Sequence, residues 1–196
     1  YLAHLTRDTG AADTHLKIKD YYLSLAGDTP QYPTLDDLKP LIEVVHHACQ
    51  AGAYDEANNI RRDRIFQGQR FVLVHQLGAY ETALSLMFEF FPNNDVAQEP
   101  QMHDKNGKRW VLNSIGNFLM NLGRLREAVP FYERSTKIAL DMQDWSNASV
   151  TYRNLADLHA QLGALDASAE AAHQALDLAR KAEDKFGISQ SLSYQG

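Results

Sequence analysis

Cysteine is nearly missing from this 196-residue chain. Only Cys49 is present, which excludes an internal disulfide framework and makes a reducing compartment, the cytoplasm, the expectation. Long apolar runs are missing too. No stretch approaches the roughly 18 apolar residues a bilayer crossing requires, and no charged-then-apolar leader opens the chain, so no membrane partner is expected. A basic excess is also absent. A nucleic-acid partner needs Lys and Arg massed on one surface to neutralise phosphate, and a formal charge of −6 argues against one. The acidity sits in the middle: residues 34–104 hold 5 basic against 11 acidic side chains, while 1–33 hold 3 against 4 and 105–196 hold 11 against 10.

The signatures of catalysis are missing as well. There is no H-E-x-x-H, no nucleophile elbow and no paired metal-ligand cluster. Asn106, Gly107 and Lys108 resemble the end of a phosphate-binding loop, but the upstream glycine and the following Ser or Thr are absent. His46 and His47 are adjacent, so on a helix they point about 100° apart and do not chelate one metal. Cys49 reads as a small buried hydrophobe rather than a nucleophile. Arg61, Arg62 and Arg64 read as a solvated face paired with Asp63 and nearby acids, with an anion contact as the other reading. No cofactor, no metal and no enzymatic activity are expected of this segment.

What is present is a period. The positions Leu112, Ile115, Gly116, Leu119, Gly123, Leu125, Ala128 and Tyr132 recur forty residues on as Tyr152, Leu155, Ala156, His159, Gly163, Leu165, Ser168 and Ala172. A further step of forty reaches Leu192 and Gly196, the start of a third copy. Each copy carries apolar residues at helical spacing, a glycine that closes a helix by accepting positive φ, and small residues where two helices cross. That is an antiparallel helix hairpin. Gly116 and Ala156 are the small residues of the first helices; Ala128 and Ser168 face them on the second.

The spacing G-x-[YL]-x-x-A occurs as Gly52, Tyr54, Ala57, as Gly78, Tyr80, Ala83, and as Gly123, Leu125, Ala128; Gly163, Leu165, Ser168 is a fourth copy with Ser for Ala. This pattern resembles the tetratricopeptide repeat family. The first two copies depart from it, with Val45 and Phe71 where a small residue is expected and only 26 residues between their glycines. The expected fold is all-α, a right-handed α-solenoid of tetratricopeptide-like helix-turn-helix repeats with a period of about 40 in its C-terminal half. The stretches 41–65, 110–128 and 144–163 further resemble the arrays of bacterial NACHT- or AAA-like (STAND) signalling NTPases. That resemblance implies a sensor or scaffold segment attached to an NTPase core.

Along the chain, residues 11–25 form an amphipathic pattern on Leu16, Tyr21, Tyr22 and Leu25, and Thr34 with Asp37 is a capping signal for a helix over 35–51. Further helices are expected over 54–65, 67–77, 79–91, 108–122, 125–142, 145–162, 165–182 and from 185 onward. The expected organisation is a leading helix and linker over 1–33, two divergent hairpins over 34–91, a loop over 92–107, and two repeats plus a truncated third over 108–196. The chain opens at Tyr1 without Met and stops inside a repeat, so it reads as a piece of a larger protein.

The resemblance implies a groove lined by the first helix of each pair. Carried onto this sequence, its positions are Trp110, Asn113, Asn117 and Met120, then Val150, Arg153, Asp157 and Ala160. Asn can bond a peptide backbone, Arg153 a carboxylate, and Trp110 and Met120 offer apolar contact. Family members that clamp a chaperone's C-terminus need Lys where Asn113 stands, so that partner is set aside. A protein or peptide partner, together with other domains of the parent chain, is the leading expectation, and uncapped repeat ends allow an oligomer. The alternatives are a small-molecule sensor and, last, a hydrolase fragment shaping its substrate groove.

Overall fold

The computed structural model describes residues 2–193, and every regular element among them is helical. The chain divides into two compact units between Asp104 and Lys105. Gly196, expected in the third repeat, lies outside the described residues.

The first unit holds α1 (Leu2–Leu25), α2 (Leu35–Gln50), α3 (Tyr54–Ile60) and α4 (Tyr80–Phe88). A reciprocal cap starts α2: the Asp37 N–H donates to Thr34 Oγ1 at 3.3 Å and the Thr34 N–H to Asp37 Oδ2 at 2.8 Å. These two bonds satisfy donors that a helix start leaves open. Its core face, Leu38, Leu41, Val44, Val45, Ala48 and Cys49, is buried. α1 packs on α2, but of the face expected only Tyr22 takes part. Leu16, Tyr21 and Leu25 stay exposed, while His15 and His47 join through their Nδ1 atoms at 2.8 Å, Tyr22 stacks on His47, and Lys19 meets Glu56 at 2.8 Å.

The helix expected over 67–77 is not continuous. After α3 a π-helical turn runs Arg61–Ile65; Gln67 and Phe71 then take left-handed conformations, φ 52 and 47, on either side of a 3-10 turn at Gly68–Arg70. A second π-helical turn, Val72–Gln76, leads into the Gly78 turn. The reason is length: the 26 residues from Gly52 to Gly78 are too few for the pair of full helices that a forty-residue repeat accommodates. Arg64 and Gln67 use this broken segment to reach carbonyls of the 26–33 linker, at Ala26 (3.3 Å) and Pro30 (3.1 Å).

The second unit is regular. α5 (Lys105–Asn121), α6 (Leu125–Asp141), α7 (Trp145–Gln161) and α8 (Leu165–Lys181) are 17 residues each, separated by three-residue turns, and α9 (Lys185–Ser193) follows. Equal helices and equal turns give the period of forty. The helix starts at Lys105, three residues inside the loop expected over 92–107. Every turn has a left-handed residue at its centre: Gly123 (φ 73), Gln143 (φ 56), Gly163 (φ 75) and Glu183 (φ 54). In the first, Arg124 N–H donates to Leu119 O and Gly123 N–H to Met120 O, the Schellman pattern that satisfies the last carbonyls of a helix. Successive helices pack in chain order, so the tetratricopeptide-like α-solenoid expectation is met.

Small residues set how close the helices come. A Cβ on Gly116 would stand 2.7 Å from the ring of Tyr132, which is fully buried. In the next pair Ser168 Oγ donates to the Ala156 carbonyl at 2.8 Å. Far from the turns, Ser135 Oγ donates to Arg109 O (3.1 Å) in one pair and Ser149 Oγ to Ala175 O (2.8 Å) in the next. The register is identical, with the donor moved from the second helix to the first.

Gly116→Val should destabilise the chain by about 1–3 kcal/mol, because the side chain must displace a ring with nowhere to go. A urea titration checks this, and an unchanged midpoint would refute the close contact. The His15–His47 contact generates a pH dependence. Burial, then the neighbouring His46 and His15, holds His47 below its ordinary value, against the opposing pull of Glu43 and Glu89. The unfolded chain therefore protonates first: the stabilisation is complete above the ordinary value near 6.5 and is lost as pH falls below it. The melting temperature should drop between pH 7.5 and 5.5, and His47→Gln should flatten that drop.

Candidate functional site

Trp110, Asn113, Asn117 and Met120 follow one another at helical spacing on one face of α5, and all are half-buried. On α7, Val150, Arg153 and Asp157 are half-buried and Ala160 is exposed. The two helices are tied together by a residue the sequence reading passed over. Asn154 Nδ2 donates to Asn113 Oδ1 at 3.2 Å and lies 3.5 Å from Asn117 Oδ1. From the other side Tyr132 Oη donates to the same Asn117 oxygen at 2.6 Å and lies 4.0 Å from Met120 Sδ. Burial and the nearby Asp157 carboxylate push the Tyr132 phenol well above its ordinary value, so it stays a donor throughout the physiological range.

The result is a short polar ladder in which the carboxamide oxygens of Asn113 and Asn117 accept, which leaves their N–H2 groups as the donors of these two side chains. Arg153 belongs elsewhere. Its Nη1 donates to Ser149 Oγ at 3.4 Å and lies 3.3 Å from where a Cβ on Gly187 would stand, against the first turn of α9. Asp184 closes that turn by accepting from the Gly187 N–H at 3.0 Å. Asn113, Asn117, Met120 and Asp157 thus share one neighbourhood around Tyr132, and Arg153 faces the start of the next repeat.

Asn154 escaped the sequence reading because it lies 41 residues after Asn113, one step off the register that aligned Asn113 with Arg153. Tyr132 was visible only as an apolar position equivalent to Ala172.

The other candidates separate. His46 pairs with Glu89 at 3.1 Å while His47 bonds His15, and the described residues contain no group of three or more His, Cys, Asp or Glu placed to hold a metal. Burial pushes the Cys49 thiol far above its ordinary value, which keeps it protonated and unreactive. The three arginines diverge. Arg62 pairs with Asp63 at 2.7 Å and Arg64 reaches the linker. Arg61 corrects the solvated-face expectation: it is 2% exposed, donates twice to Asn58 Oδ1 (3.2 and 2.6 Å), and is pushed down to about 9 by burial. Asn106 caps nothing resembling a phosphate loop; within α5 its side chain accepts from Arg109 at 2.7 and 3.1 Å.

Residues 108–181 match the family model of the tetratricopeptide repeat, a stretch that runs from the first turn of α5 to the last residue of α8. The repeat is a protein-interaction module and is typically non-catalytic. None of the curated proteins compared with the chain matches it. Among the described residues no helix is long and apolar enough to cross a membrane.

Because Tyr132 and Asn154 share the Asn117 oxygen, their contributions should be coupled. Tyr132→Phe and Asn154→Ala should each cost about 0.5–1.5 kcal/mol, and the double variant should depart from their sum by at least about 0.5 kcal/mol. Strict additivity in urea denaturation would show that the ladder is not a unit.

Proposed function

We propose that the α5–α7 face binds an extended segment of another protein, with Asn113, Asn117, Met120 and Asp157 at its centre and Trp110 and Arg153 on its flanks. The observation that carries this reading is the ladder itself. Asn113 and Asn117 are one helical turn apart, a rise of about 6 Å, close to the roughly 6.8 Å between alternate residues of an extended chain. Their N–H2 groups therefore match the backbone carbonyls of alternate residues of such a segment. Asn154 and Tyr132 hold both carboxamides in place before the partner arrives, which lowers the ordering cost of binding. Asp157 and Arg153 add one charge of each sign, so the partner is selected by side chains as well as by backbone.

The setting we favour is a sensor or scaffold array within a larger cytoplasmic signalling protein that carries an NTPase core. The resemblance of residues 41–65, 110–128 and 144–163 to such arrays supports it. In that setting the captured segment reports the presence of a partner to the core.

Capture from lysate by the full chain, compared with an Arg153→Ala, Asn117→Ala double variant shown to be folded by circular dichroism, tests the face. A specific protein should be retained by the unaltered chain, with its apparent affinity for the variant reduced at least about tenfold, equivalent to about 1.4 kcal/mol. Equal retention by both would remove the face from consideration. Failure to capture any protein, together with saturable binding of a metabolite, would replace protein recognition by small-molecule sensing.

A further inference from the structure

α7 has a second working side. At about 100° per residue, Tyr152, Leu155 and His159 point roughly 150° away from Arg153 and Asp157. They floor an open cleft of about 620 Å3 whose walls are α6 and α8. Leu140 and Ala171 continue the apolar floor on the two walls. Successive antiparallel helices leave α6 and α8 running in the same direction, so the cleft is a groove between parallel neighbours.

The rim marks this groove as incomplete, because it is charged and its charges are open. Glu133, Lys137 and Asp141 are spaced for ion pairs along α6, yet none of the ion pairs among the described residues joins them. Across the groove Glu170 is held only by the Gln174 amide at 3.0 Å. Three carboxylates against one ammonium surround an apolar floor.

We infer that the α6–α8 cleft is a second docking site, which takes an amphipathic helix of a partner protein bearing an apolar stripe flanked by lysine or arginine. A helix laid between two parallel helices packs its side-chain ridges into their groove. Its apolar stripe lies along the half-buried Leu140 and Tyr152, above the buried Leu155 and Ala171, and its basic flanks meet Glu133, Asp141 and Glu170. The site is separate from the asparagine ladder, and the two are loaded independently because they use opposite sides of α7.

The test uses the full chain and three fluorescein-labelled 18-residue peptides: one with leucines at i, i+3, i+4 and i+7 spacing and lysines elsewhere, one with glutamates for the lysines, and one with the first peptide's composition scrambled. Anisotropy should show saturable binding of the first peptide only. Glu133→Lys, Glu170→Lys, two exposed changes that leave the core intact, should weaken it at least tenfold, and Arg153→Ala, Asn117→Ala should leave it unchanged. Amide chemical-shift changes should fall on α6, α7 and α8. Equal binding of the scrambled peptide, indifference to the rim reversal, or no binding at all overturns the assignment. Self-association seen by sedimentation and abolished by the rim reversal would give the cleft to a second copy of this chain, which also overturns it.

Discussion

Contact between the Tyr132 ring and the bare α-carbon of Gly116 is the constraint from which the second unit follows. With no Cβ in the way, α6 lies close enough to α5 for an aromatic ring to occupy the space a side chain at Gly116 would take. That position delivers the Tyr132 hydroxyl to Asn117, which in turn holds a lone pair toward Asn154 on the next helix. One missing methyl group thereby organises a hairpin, a polar ladder and the spacing to the following repeat. The neighbouring hairpin reaches the same closeness differently, by a hydroxyl–carbonyl bond from Ser168 to Ala156. Both solutions bring backbones together, and both depend on small side chains at the crossing.

Turns impose the second constraint. A left-handed residue every twenty positions lets each helix end in bonded carbonyls and reverse within three residues. Glycine supplies it inside each hairpin, and Gln143 and Glu183 supply it between hairpins, at the steric cost that L-residues carry in that region. The first unit shows what happens when the length allowance shrinks: between Gly52 and Gly78 the chain gives up α-helical regularity for π-helical and 3-10 turns, and Phe71 itself turns left-handed. Side chains then do what regular helices would have done, with Arg64 and Gln67 pinning the linker.

Much of this was legible from residue order. Period, turn glycines and small crossing residues placed α6, α7 and α8 within one residue of their observed ends. What escaped was of two kinds. Some depends on neighbours that are distant in sequence: Asn154 meets Asn113 across 41 residues, and no periodicity marks a residue that is one step out of register. Some depends on burial that composition hides. Arg61 reads as a surface charge until Asn58 is seen beside it, and of the expected face Leu16, Tyr21, Tyr22 and Leu25 only Tyr22 meets α2, where it joins His15 on His47, while Lys19 reaches Glu56 of α3. The turns at Gln143 and Glu183 were silent because neither residue type announces positive φ.

The ladder between α5 and α7 also determines how this face can respond to force. Apolar helix contacts slide, since one methyl group is much like another, and a groove lined by them changes width at little expense. Asn154 replaces that freedom with two directional bonds, at 3.2 and 3.5 Å, to residues one turn apart on the opposite helix. Sliding by half a turn would break both at once. The spacing of α5 and α7 at this face is therefore fixed by direction as well as by packing.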